Sequence, residues 1–132
     1  MTTLELIDTL DSILDKVYDF ITIRGMYHHE VRNLIGSHYW WNKLDEDQRI
    51  AQMRLMKSLS DIKSAVETNC RGYLSSAELK HVSQFLLLVE SIVSAQDKQA
   101  TNASSTEQMV EHIKKEYGHI KPMLELVSKA EQ

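Results

Sequence analysis

Between Leu79 and Ala95 the chain reads Leu79, Val82, Phe85, Leu86, Leu87, Leu88, Val89, Ile92 and Val93, with few charges along the way. A helix that is apolar over so much of its circumference must be covered on several sides by other elements. Ser83, Gln84, Glu90 and Ser91 interrupt the run, and it falls short of the roughly 20 apolar residues that cross a bilayer. The stretch predicts the central helix of a bundle that makes no membrane contact.

The rest of the chain fits helices around it. Only four Gly and one Pro occur in 132 residues, so little breaks a helix, and apolar residues recur at helical spacing throughout. With 42% hydrophobic and 26% charged residues the composition is globular, and the class is all-α. Residues 1–132 are long enough to bury a core as a single helical-bundle domain without disulfides or metals. A formal charge of −4 argues against nucleic acid as a partner, since its binders usually carry a basic stripe. Cys70 is the one cysteine, which excludes an intramolecular disulfide. The start Met1-Thr2-Thr3-Leu4-Glu5 has no basic and apolar leader pattern. Both features point to the cytoplasm.

In chain order, Thr2 and Glu5 fit a capping box. Ile7, Leu10, Leu14, Val17 and Ile21 follow at alternating spacings of three and four, which is a bundle seam. This first helix is predicted to run from Leu4 to Ile23 and to stop at Gly25. A second carries Tyr27, Val31, Leu34, Ile35 and His38 and ends after Tyr39-Trp40-Trp41, with Leu44 and Asp45 as loop and N-cap. A third runs from Glu46 to Thr68 with Met53, Met56, Leu59, Ile62 and Val66 inward. Asn69, Arg71 and Gly72 end it, and the Ser75/Glu78 capping box opens the central helix. Residues 97–104 form an exposed linker. A third capping pair, Ser105 and Gln108, begins the last helix, which places Val110, Ile113, Tyr117 and Ile120 inward. Pro122 should kink or break it, because Pro lacks an N–H and clashes with the carbonyl four residues back. The predicted architecture is an up-and-down bundle of about five helices.

Two features suggest contact with another protein. Tyr39, Trp40 and Trp41 are adjacent, so on a helix they point about 100° apart and cannot all enter one core. Trp and Tyr are also the residues that most often anchor interfaces. Asp8, Asp11, Asp15 and Asp19 recur at spacings of three, four and four, an acidic helix face that repels itself and can steer a basic surface. The expected function is protein–protein binding through these residues, of a regulator, inhibitor, chaperone or immunity type. A homodimer through the seam of the first helix is a further possibility.

A different chemistry is suggested by Arg32-Asn33-Leu34-Ile35-Gly36-Ser37-His38. An Arg, a polar neighbour and a His a few residues on resemble the signature of HEPN-family ribonucleases, which are small helical domains that cleave RNA without metal. The resemblance implies Arg32 as stabiliser of the phosphorane charge and His38 as proton carrier, and makes such an endoribonuclease the alternative to binding. The pairs Glu78/His81 and Glu116/His119 have the Glu-x-x-His spacing of di-iron bundles. They fall on consecutive helices with no Glu-bearing helix between them, so no metal site and no cofactor is expected. Cys70 closes a helix, where the dipole raises a thiol pKa, and it makes a poor nucleophile.

Overall fold

The computed structural model describes residues 1–26, 38–94 and 103–131, and the side chains of these apart from 24–26, 38–45 and 103–106. Helix α1 covers Thr3–Met26, α2 covers His38–Cys70, α3 covers Ser76–Ser94 and α4 covers Ala103–Glu131. They pack as an all-α, up-and-down bundle in which α1 lies between α2 and α4, and α3 closes the ring opposite. The antiparallel order shows in the pairs that meet across each interface. Asn69 Nδ2 donates to the Met1 carbonyl at 2.9 Å, and Gln52 Nε2 to the Val93 carbonyl at 2.8 Å. The Phe85 ring stacks on Tyr117 with centroids 5.7 Å apart.

The core follows the seams. Ile7, Leu10, Leu14, Val17 and Ile21 are all buried, joined from the same helix by Leu6, Ile13 and Phe20. Each such side chain contributes on the order of 1.5–3 kcal/mol by leaving water. From α3 come Val82, Phe85, Leu86, Val89, Ile92 and Val93. More buried side chains come from α1 than from α3, and both helices touch all three others. Helix α3, the predicted central helix, leaves Leu87 on its exposed side.

Four helices occur among the described residues where five are predicted, and the reasons are local. No loop interrupts α2 at Leu44 and Asp45, because His38–Cys70 contains neither Gly nor Pro, and an Asp inside a helix costs only about 0.5 kcal/mol. The predicted second helix lies largely on residues 27–37, outside the described residues. Gly25 falls within α1, which continues to Met26. Part of the predicted linker, 103–104, already belongs to α4, whereas 97–102 lie outside the described residues. Pro122 does not break α4. Beyond it Leu124 and Val127 are buried, and their packing outweighs the roughly 3 kcal/mol that Pro costs in a helix interior. On α2, Met53 is exposed and Leu55 takes the inward position.

The helix ends are tied. The Glu5 N–H donates to Thr2 Oγ1 at 3.1 Å, while Thr2 Oγ1 in turn donates to Glu5 Oε1 at 3.2 Å. The Ser75/Glu78 box is reciprocal, with the Ser75 N–H on Glu78 Oε1 at 3.0 Å and the Glu78 N–H on Ser75 Oγ at 3.1 Å. Those bonds hold the Glu78 carboxyl below the usual carboxylate range. At the other end of the chain Glu131 accepts from the Thr3 N–H at 3.2 Å and from the Thr3 hydroxyl, so α4 caps the first turn of α1 with negative charge.

Candidate functional site

The two flanks of α1 are built differently, and the acidic face of that helix runs between them. On the α4 flank the half-buried Asp11 is paired across the α1–α4 interface. Tyr117 Oη donates to Asp11 Oδ1 at 2.5 Å, and Lys121 Nζ to Asp11 Oδ2 at 3.0 Å. Lys114 Nζ stands 5.3 Å from the centre of the Tyr18 ring. Burial first, then the bond to Asp11, push the Tyr117 hydroxyl far above its ordinary range, so it stays a donor. Burial, then Asp15 and Asp11, raise Tyr18 as well. The bond to Asp11 holds Lys121 in its charged form to higher pH than usual.

On the α2 flank, Asp8, Lys16 and Asp19 of α1 line concavities, and all three are exposed. One concavity, of about 460 Å³, lies towards the start of α1, where Asp8, Ser12 and Ile13 face Ser58, Asp61 and Ile62. The second, of about 350 Å³, lies towards its end, where Ile13, Phe20 and Ile23 face Gln48, Leu55 and Arg54. Ile13, Lys16 and Ser58 belong to both, so they form one groove. Lys16, Asp19, Arg54 and Asp61 make no ion pair among the described residues. Gln48 Oε1 is buried at the groove with no hydrogen-bond partner. Such an acceptor costs on the order of 1–3 kcal/mol.

The groove, not the stripe alone, is the feature that sequence patterning missed. Gln48, Ala51, Arg54, Leu55, Ser58, Asp61 and Ile62 recur at the three- and four-residue spacing of one face of α2. That signal is present in the sequence but lacks its other wall, which α1 supplies.

The remaining candidates are placed as follows. Tyr39, Trp40 and Trp41 stand in the first turn of α2, and their side chains lie outside the described residues. Helix α2 is 33 residues long and α1 is 24, so α2 is the longer by roughly 13 Å. Arg32 lies outside the described residues, and His38 opens α2 with its side chain outside them. His81 Nε2 stands 3.6 Å from Glu116 Oε2, which joins the two Glu-x-x-His pairs across α3 and α4. His119 is exposed and Glu78 serves its capping box. Among the described residues no three His, Cys, Asp or Glu side chains converge as metal ligands. Cys70 is buried, and burial with the nearby Glu131 pushes its thiol up to about 11. Among the described residues no helix is long and apolar enough to cross a membrane. No family model, no curated protein and no solved structure matches this chain.

Proposed function

We propose that the protein acts by binding another protein along its α1–α2 face, in the manner of a regulator, inhibitor, chaperone or immunity protein. The observation that supports this reading most is the groove of the α2 flank, with an apolar floor and charges that make no ion pair among the described residues. A helix-in-groove mode fits its shape, because the lining runs from Asp8 to Ile23 on α1, about four helical turns. Asp8, Asp15 and Asp19 remain exposed for steering, while Asp11 holds α4. Tyr39, Trp40 and Trp41 occupy the same helix as the α2 wall, starting about two turns before Gln48. They would extend the contact beyond the groove as its aromatic anchor.

The reading is tested with a photo-crosslinking amino acid at Ser58, in the middle of the groove, and at Leu126, exposed on α4. A discrete heterologous product from Ser58 and none from Leu126 is the expected result. Equal labelling at both sites, or a product containing only this chain, would remove the proposal.

A further inference from the structure

We infer that the groove receives an amphipathic helix of the partner that carries a cation and, two turns along the same face, a carboxylate. The inference rests on the binding reading above and specifies what that face receives. It stands on the order of charges along the groove. The antiparallel register that sets Asn69 against Met1 brings Asp61 level with Asp8, Ser58 with Ser12, and Arg54 with Lys16. The concavities divide in the same way, since Asp8 and Asp61 line one, Arg54 lines the other, and Lys16 and Ser58 belong to both. Along the groove the rims therefore carry two carboxylates, then two hydroxyls, then two cations. All four charged side chains are exposed, and none makes an ion pair among the described residues. At each level the facing charges have the same sign, so neither rim can neutralise the other. One opposite charge seated between the rims would meet both.

Spacing selects the secondary structure of the occupant. The two charged levels lie eight residues apart on α1 and seven apart on α2, about 11 Å along the axis. Seven residues of a helix cover that distance and return to the same face. A strand covers it in about three residues, which leaves the two side chains on opposite faces. Between its charges the helix presents the positions three and four residues on. These lie over Ile13, which both concavities share, and are apolar. Beyond the cations Asp19 stands level with Ala51, and a further cation one turn on would meet it. A second copy of this chain across a two-fold axis also matches the signs. It sets one concave floor against another and leaves the space between them unfilled, whereas a helix is convex and fills it.

The test is an amide NMR titration of the whole chain with three stapled four-turn helical peptides. All share one leucine face, and the two charges placed two turns apart on it are Arg with Glu, Arg with Arg, or Glu with Glu. The Arg–Glu peptide should shift amides in 8–23 and 51–62 saturably, and should bind about tenfold more tightly than either of the others. Asp8→Asn with Asp61→Asn should remove only its advantage over the Glu–Glu peptide. Lys16→Gln with Arg54→Gln should remove only its advantage over the Arg–Arg peptide. The single changes Asp61→Asn and Arg54→Gln serve if a double variant does not fold. Equal affinity of the three peptides, or saturable shifts elsewhere only, or none, would overturn the inference. Concentration-dependent shifts of the same amides without peptide would place a second copy there, with the same consequence. The Ser58 crosslink separates the two readings: a heterologous product with no preference among the peptides keeps the binding face and removes the helix.

Discussion

Helix α1 meets α4 and α2 through the same kind of surface, an apolar seam edged with charges, yet the two edges are used in opposite ways. Against α4 the polar groups are matched. Asp11 receives Tyr117 and Lys121, Lys114 lies over Tyr18, and Glu131 returns to the first turn of α1. Against α2 the polar groups stand apart, with no ion pair among Lys16, Asp19, Arg54 and Asp61 and no partner for Gln48 Oε1. Charge count does not separate these edges, since each carries both signs. What differs is whether the groups find one another within the fold. A flank whose polar groups are satisfied internally contributes stability and has little left to offer a ligand. A flank that leaves them unsatisfied gives up stability and retains the capacity to bind.

The comparison is broken most directly at Tyr117. Tyr117→Ala removes the stack on Phe85 and the bond to Asp11 together, and is expected to cost about 3 kcal/mol. In a thermal melt that corresponds to a Tm lower by roughly 10 °C. A loss below about 1 kcal/mol would mean that the α4 flank is held by its apolar seam alone. Tyr117→Phe keeps the ring and removes only the donor to a charged acceptor, for which about 1.5 kcal/mol is expected by denaturant unfolding. Lys121 is partly exposed and still reaches Asp11, so the double change Tyr117→Phe with Lys121→Met should exceed the sum of the two. Smaller again is Thr3→Val, which has the shape of threonine but no hydroxyl for Glu131. About 1 kcal/mol is expected, measured as the shift of the urea midpoint at unchanged slope.

The fold was legible where its causes are local. The seam from Ile7 to Ile21 is a period within one helix, and the Ser75/Glu78 box spans four residues, so both appear in the sequence as they do in space. Pro122 misleads for the opposite reason. Its cost is local, but Leu124, Val127 and the Glu131 cap, which outweigh it, act across the bundle. Asp11 looks like its three acidic neighbours until Tyr117, 106 residues away, is brought to it. Met53 and Leu55 differ by two positions on an amphipathic helix, where a small error in phase exchanges inside for outside. The groove has half its lining on each of two helices, so no pattern within either one contains it.

The smallest stability effect is the most informative about the α2 flank. If Lys16, Arg54 and Asp61 have no partner within the fold, neutralising them costs the fold almost nothing. Lys16→Gln, Arg54→Gln and Asp61→Asn, singly, are each expected to change stability by less than about 0.5 kcal/mol. Their effect should appear instead in the yield of the Ser58 crosslink, which falls if these charges meet opposite charges on the partner. The same changes made on the other flank would separate nothing, because there each charge serves the fold. A loss of about 1 kcal/mol or more on neutralising Arg54, by urea unfolding, would show that its charge is used within the bundle. The distinction between a flank that stabilises and a flank that binds would then fail at its best-defined residue.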